Sequence, residues 1–328
     1  MEPLVEVLNV AGVRGTVAAT VHAGDPWGLR LFRISAAAFH AVTAGTAWLR
    51  MPGQAAVRLM PGDVVLLPRG SEHGLAGDPD GPLGPFDHAA SKRALAAGGR
   101  LDVGPRPVRT TILCASYRHD PAISTPLFTL LPEVVHMPAG SPGLGLLPDT
   151  VRLLSAELTE RGVAGATVLD RLVDVLLIQL LRAWLRTEPT TPSASWLRAL
   201  NDPTIAAVLT AMHSDPARAW TLTSLADHVA VSRATLARRF PALVGETPAA
   251  YLTRWRMDLA ARRLRDTDDP IDSIARAVGY TSEYAFSRAF SRDRSLPPGR
   301  YRARSREGPV GGPPSAQVAS APASLPPA

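Results

Sequence analysis

Apolar positions change their period twice along this chain. Up to about residue 147 they come in short runs broken by Gly and Pro, as in "GTAWLRM", "AAVRLMPGD", "VVLLPRG" and "VRTTILCASY". Runs this short between turn residues predict strands, and so many of them predict an all-β sandwich or barrel. Residues 77–107 have no sustained period and many Gly and Pro, which reads as a long mobile loop between strands. Over residues 149–186 the spacing turns helical. "DTVRLLSAELTERG" ends at Gly162, a natural helix stop. "TVLDRLVDVLLIQLLRAWLR" is apolar around most of its circumference, so it is buried either against its own β-domain or in a dimer interface. Residues 187–195, "TEPTTPSAS", read as a linker. Residues 196–306 are helical throughout. The stretch 307–328 is Pro, Ala, Ser and Gly with almost no charge and predicts a disordered tail.

Inside the helical third one frame occurs twice, fifty residues apart: "SRATLARRF" from Ser232 and "SEYAFSRAF" from Ser282. Each has serine first, a large apolar residue fifth, arginine seventh and phenylalanine ninth. The serine caps a helix, and Leu236 with Phe240, or Phe286 with Phe290, faces inward. A short helix precedes each, with inner faces Leu225, Ala226, Val229 and Ile271, Ile274, Ala275, Val278, and turns at Ala230–Val231 and Gly279. Two helices joined by a tight turn form a helix-turn-helix, here over 222–243 and again over 270–293. The second helix of such a unit offers its N-terminal side chains to base edges in the DNA major groove. Between the units, Thr247 and Pro248 start a helix of about 20 residues, roughly 30 Å long. Successive major-groove faces are about 34 Å apart, so this helix suits two recognition helices in adjacent grooves.

Composition narrows the setting. A chain of 328 residues supports two domains, and 46% hydrophobic residues with mean hydropathy +0.05 suits a globular protein. The single cysteine, Cys114, rules out an internal disulfide framework and fits a reducing cytoplasm. "MEPLVEVLNV" lacks the pattern of a signal peptide. The most apolar run, 172–185, contains Asp174, Gln179 and Arg182 and is too short to span a bilayer, so no membrane partner is expected. Residues 203–306 hold 17 Arg, no Lys and 10 acidic residues, a net +7, against −1 for the remainder. A basic domain beside a neutral one fits either a polyanion partner or a merely solvated surface.

The helical third resembles the DNA-binding domain of the AraC/XylS family of bacterial transcription regulators. The matching stretches are "SLADHVAVSRATLARRF", "GETPAAYLTRWRMDLAARRL", "SIARAVGYTSEYAFSRAF" and "PPGRYR". Ala230 and Ser295 stand where the family usually has glycine. A left-handed backbone at such a residue costs about 1–2 kcal/mol. The resemblance implies DNA contacts from Arg233, Ala234, Ala237 and Arg238 on the first recognition helix and from Glu283, Tyr284, Ser287 and Arg288 on the second. Arg238 and Arg288 suit guanine edges or phosphates, and the alanines suit thymine methyls. Glu283 either accepts from cytosine N4 or is a solvated charge. Arg254, Arg256, Arg262 and Arg263 read as phosphate contacts or ion-pair partners.

"GDVVLLPRGSEH" (Gly62 to His73) resembles the second motif of cupins, small jelly-roll barrels, and "AAFHAVTAGTAWLRMPG" resembles the first motif with one histidine, His40. Val42 stands where metal-dependent cupins carry a second histidine. Two imidazoles alone make a poor catalytic metal site, which argues against a cupin enzyme. With "PWGLRL", "LCASY" and "LLPEVVHMPAG", the front half resembles the cupin-type sensor domain of one AraC-family subgroup. Two functions for its polar residues stay open. His22, His40, His73 and Cys114 either converge on a soft metal ion or oxidant-sensitive site, or are unrelated core residues. Trp27, Phe39, His40, Trp48 and His73 either line an effector pocket or fill the core. The expectation is therefore a jelly-roll sensor with appended helices over 1–186 joined to an all-α domain over 196–306. It would be a cytoplasmic homodimer that binds promoter DNA, meets RNA polymerase and answers a small-molecule or redox effector, as an activator more than a repressor. No cofactor is expected.

Overall fold

A computed structural model of the chain describes residues 2–87, 89, 91, 93, 99–119, 127–160, 162–187 and 196–306. The expected linker at 187–195, apart from Thr187, and the expected tail at 307–328 lie outside these residues.

The β-rich half contains, in chain order, β1 (Arg14–Ala23), β2 (Gly28–Leu31), β3 (Ala37–Ala44), β4 (Ala47–Arg50), β5 (Val57–Leu59), β6 (Val64–Leu67), β7 (His73–Ala76), β8 (Gly84–Pro85), β9 (Arg100–Val103), β10 (Thr110–Arg118) and β11 (Val135–Met137). Among the described residues they form two sheets, ordered β11-β6-β3-β10-β1-β9 and β5-β4-β7-β2-β8. Neighbours in space are mostly distant in sequence, as in a jelly roll closed from two sheets. The stretch expected to be one loop, 77–107, carries β8 and β9. These extend the sheets by pairing parallel with β2 and β1. Strands of two and four residues with Gly and Pro nearby give no period strong enough to show in sequence.

Strand alternation splits the buried residues of this half into two cores. Val21, Trp27, Leu49, Val65, Leu75 and Ile112 fill the space between the sheets. Phe39, Ala41, Leu66, Leu113 and Tyr117 face the other way, onto helices. Those helices are α1 (Pro3–Val10), α2 (Leu147–Glu160) and α3 (Gly165–Thr187). The inner stripe of α3, Leu169, Val173, Leu176 and Leu180, packs on β1. Gly15 permits this approach, since a Cβ there would meet Val173 Cγ1 at 2.2 Å. Asp174 accepts from the Gly15 amide at 3.1 Å, and the Tyr117 hydroxyl donates to the Val173 carbonyl at 3.0 Å. The apolar helix is thus buried on its own β-domain along one side, while Val168 and Val175 remain 40% and 42% exposed on the other.

The helical half comprises α4 (Trp196–Ala199), α5 (Pro203–Ser214), α6 (Leu222–His228), α7 (Arg233–Val244), α8 (Pro248–Asp266), α9 (Ile271–Ala277), α10 (Glu283–Arg294) and α11 (Pro298–Arg306). The two expected helix-turn-helix units are α6–α7 and α9–α10, joined by α8. At 19 residues α8 is about 29 Å long at 1.5 Å per residue. Helix α1 was not foreseen. It has Pro3 in its first turn and buries Leu4, Val7 and Leu8 at helical spacing. It packs on α5 and α8, so one apolar core runs from the barrel's outer face into the helical half.

Candidate nucleic-acid interface and sensor barrel

Each recognition helix is started by the serine that opens its frame. The Ser232 hydroxyl accepts from the Thr235 amide at 3.0 Å, and the Ser282 hydroxyl from the Ala285 amide at 3.4 Å. The turns share one hydrogen-bond pattern. Val231 N donates to Ala226 O at 3.0 Å in the first unit, and Tyr280 N donates to Ala275 O at 2.9 Å in the second. This six-to-one bond closes a helix through a left-handed residue. That residue is Ala230 at φ 53° in the first unit and Gly279 at φ 87° in the second. The second turn runs one residue longer to its cap, through Thr281. Ser295, after α10, is also left-handed at φ 58°. Both non-glycine departures are therefore strained positions.

Burial divides the frame as its spacing requires. Leu236, Phe240, Phe286 and Phe290 are buried. Arg233, Ala234, Ala237, Arg238, Glu283, Tyr284 and Arg288 are exposed, and Ser287 is partly so. Tyr284 is 72% exposed, a high figure for an aromatic ring, and the Arg288 guanidinium lies 5.7 Å from its centroid. Several other arginines of this half are occupied. Arg239 pairs with Asp202 at 2.6 Å, and Arg256 donates to the carbonyls of Pro216 at 2.7 Å and Arg218 at 2.9 Å. Arg262 and Arg263 lie 3.6 and 3.8 Å from Asp266 and Asp269. Arg254 pairs with Glu246 at 2.6 Å and lies 3.9 Å from Asp258. Of the connecting-helix arginines, Arg254 and Arg256 are thus held by partly buried structural contacts, while Arg262 and Arg263 stay about half exposed beside their acids. Among the described residues, Arg233, Arg238 and Arg288 form no ion pair, so their charge is directed outward.

Asp258 was not singled out from sequence. It is fully buried on α8 and pairs with the buried Arg294 guanidinium at the end of α10. An aspartate amid arginines on a helix looks like any surface charge. Only the packing of α8 beneath α10 reveals it.

In the barrel, alternation along β3 sends Ala38, His40 and Val42 between the sheets and Phe39 outward. His40 Nε2 is 2.9 Å from His73 Nε2, and His40 Nδ1 is 3.2 Å from Cys114 Sγ. His73 Nδ1 is 2.8 Å from the Ser71 carbonyl, which can only accept. The hydrogen bonds therefore have one direction when both rings are neutral. Cys114 donates to His40, His40 donates to His73, and His73 donates to Ser71 O. Burial holds His40 well below its ordinary pKa, with the neighbouring His73 adding to the effect. Burial also lowers His73, against its bond to Ser71, and pushes the Cys114 thiol up to about 12.

Three of the four candidate metal ligands therefore meet, but His40 turns opposite nitrogens to Cys114 and His73. One ion cannot take all three in this arrangement, and no group of three or more His, Cys, Asp or Glu among the described residues is placed to hold a metal. His22 lies elsewhere, beside Arg100 and Asp102, because a bulge between Val17 and Ala19 sets the facing of β1. Of the expected pocket residues, Trp27, His40 and His73 face the barrel interior. Phe39 packs edge-on against Tyr117 on the helix side, and Trp48 alternates outward from Ala47 and Leu49. Asp63 of the "GDVVLLPRGSEH" motif clasps the barrel edge, accepting from His136 Nε2 at 2.9 Å and the Ala139 amide at 2.7 Å.

The family profile described as Cupin matches residues 2–186, and the one described as Helix-turn-helix domain matches 225–304. An AraC-like transcription regulator of Streptomyces lividans is 37% identical over 307 residues, covering 92% of this chain and 98% of that protein. The chain belongs to the AraC family of transcription regulators. Its relatives include the RCS-specific HTH-type transcriptional activator RclR of Escherichia coli, 28% identical over 94% of this chain and 99% of that protein. Among solved structures, the DNA-binding domain of AdpA in complex with a target DNA is 32% identical, with a TM-score of 0.31, covering 34% of this chain and 99% of that one. The regulator is thus a DNA-binding protein with a cupin front half. No described helix is long and apolar enough to cross a membrane.

Proposed function

We propose that this AraC-family regulator is a cytoplasmic, effector-responsive homodimer that reads an asymmetric DNA site of about two helical turns per protomer. The observation that carries the reading is the set of free guanidiniums at Arg233, Arg238 and Arg288 on the two recognition helices. Most other arginines of the half are tied to carboxylates or carbonyls, and Arg218, Arg292, Arg300 and Arg304, which are not, lie outside the first two turns of either recognition helix. Arg233, Ala234, Ala237 and Arg238 meet one major groove, and Glu283, Tyr284, Ser287 and Arg288 meet the next. Activation, with RNA polymerase as partner, is favoured over repression by the relative whose name states that role.

The dimer is favoured by exposed apolar residues seven apart on two packed helices, Val168 with Val175 on α3, and Leu153 with Leu146 just before α2. The effector is a small molecule admitted between the sheets near Trp27, His40 and His73. A metal- or oxidant-sensing barrel is the second reading, suggested by the meeting of Cys114, His40 and His73, but it requires His40 to turn and the thiol, held protonated by burial, to ionise. Elemental analysis of protein purified without chelators separates the two, since stoichiometric Zn, Cu or Fe supports the second. DNA binding is tested on genomic fragments selected by the purified chain. Arg288→Ala is expected to weaken specific binding about tenfold or more, while Arg304→Ala, at an exposed position on α11, changes it little. Equal losses would overturn the contact assignment.

A further inference from the structure

Helix α1 meets the helical half at a joint that holds a cavity of about 190 Å³. Its lining follows from helical spacing. Glu6 and Val10 stand four apart on α1, and Trp255, Leu259 and Arg262 stand at i, i+4 and i+7 on α8. His213 of α5 and Val278 at the end of α9 complete it. These residues lie on helices or at their ends, outside the space between the two sheets of the barrel. Val10, Leu259 and Val278 give apolar walls. An apolar cavity of about 150 Å³ takes up benzene, so this one has room for a single ring with small substituents.

The polar groups of the cavity differ between its inner end and its mouth. At the inner end Glu6, His213 and Trp255 are each less than a tenth exposed. The His213 ring stacks on Trp255 at 3.9 Å between centroids, and its Nε2 lies 2.7 Å from the Tyr251 hydroxyl, so packing holds both rings in place. Yet Trp255 Nε1 has no hydrogen-bond partner, and Glu6 Oε2 and His213 Nδ1, 3.1 Å apart, are not aligned for a hydrogen bond. Buried polar atoms are almost always paired, so three unpaired ones at one cavity point to a hydrogen-bonding ligand. The indole N–H can only donate and the carboxylate can only accept, and a hydroxyl serves both at once. At the mouth, Arg262 and Arg263 are about half exposed. They stand 3.6 and 3.8 Å from Asp266 and Asp269, too far for hydrogen bonds, so both guanidiniums can turn to an anion.

We propose that this cavity binds a small hydroxylated aromatic acid, with its hydroxyl between Glu6 and Trp255 and its carboxylate at Arg262 and Arg263. The site is separate from the barrel interior and stands whether or not an effector enters there. Isothermal titration calorimetry of the full chain compares para-hydroxybenzoate, benzoate and phenol. Para-hydroxybenzoate should bind about tenfold or more tighter than either, because each of the others leaves one end of the site unpaired. Trp255→Phe keeps a ring and removes the N–H. It should weaken para-hydroxybenzoate and phenol by about tenfold and leave benzoate within about twofold. Replacing Arg262 and Arg263 together by alanine should weaken para-hydroxybenzoate and benzoate by about tenfold and leave phenol within about twofold. Ala277→Leu fills the space from α9 and should abolish binding of all three. Binding that survives Ala277→Leu lies elsewhere and would overturn the proposal, as would equal affinity for the three probes or binding of none. If Trp255→Phe or Ala277→Leu does not fold, the surface arginine variant decides alone, and equal losses of benzoate and phenol there would overturn the site. Binding to selected genomic fragments would survive that failure, which keeps it distinct from failure of the DNA reading.

Discussion

The two helix-turn-helix units share a backbone and differ in almost everything they present. Both have a serine cap, an apolar pair facing inward and the same six-to-one bond across the turn. The first shows two arginines and two alanines with no acid. The second shows Glu283, Tyr284, Ser287 and Arg288. Their anchoring differs as well. The first is tied by partly exposed pairs, Arg239 with Asp202 and Glu246 with Arg254, and the second by a buried pair, Arg294 with Asp258. Positions that make the fold therefore repeat, while positions that face outward or tie the unit to its neighbours do not. A reader built this way can recognise two unlike half-sites with one scaffold.

The largest expected effect breaks the anchoring contrast. Asp258→Ala leaves the buried Arg294 with the neighbouring Asp293 but without its interhelical partner and should cost about 2–4 kcal/mol in denaturant unfolding, whereas Asp202→Ala removes the Arg239 partner and should cost about 0.5–2 kcal/mol, chiefly as a lost helix cap. Next come the outward faces. Arg238→Ala and Arg288→Ala should each lose about 1–3 kcal/mol of specific DNA binding, but in different halves of the protected site. Losses in the same half would end the two-reader account.

Acid should strike outside both units. Burial lowers His40 and His73 in the barrel and His213 at the joint below the ordinary value of 6.5, Glu6 opposing it at His213. The unfolded chain then binds more protons below about pH 6.5, so stability falls as pH falls through that window, by at most about 1.4 kcal/mol per histidine per pH unit. Melting between pH 7.5 and 5.5 should show this, and the slope should shrink in His213→Gln. The smallest effect concerns the turns. Ala230→Gly should stabilise the first unit by about 1 kcal/mol by relieving a left-handed alanine. Gly279→Ala should do the reverse, because its Cβ would lie 2.8 Å from both the Ala217 carbonyl oxygen and Arg256 Nη2.

Much of this was legible in sequence where local rules decide it. Caps, turns and inner faces of α6–α7 and α9–α10 follow from Ser232, Ser282, Gly279 and the spacing of Leu236, Phe240, Phe286 and Phe290. The barrel was legible as a class, but its facing was not. Phe39 and His40 are adjacent, and a strand must send them to opposite sides, yet only the register of β3 against β6 and β10 says which one enters. The bulge in β1 moved His22 away from its expected partners for the same reason. Asp258 and Glu6 were hidden because a buried polar contact between helices distant in sequence has no local signature. Helix α1 did have one, in Pro3, Leu4, Val7 and Leu8, masked by the strand-like runs that follow it.

The most direct test of the account is hydroxyl-radical footprinting of the purified chain on a selected genomic fragment, with Arg238→Ala and Arg288→Ala alongside. The account predicts two protected patches about one helical turn apart on one face of the duplex. Each variant should lose a different patch. A single patch, or protection that both variants weaken uniformly, would contradict it.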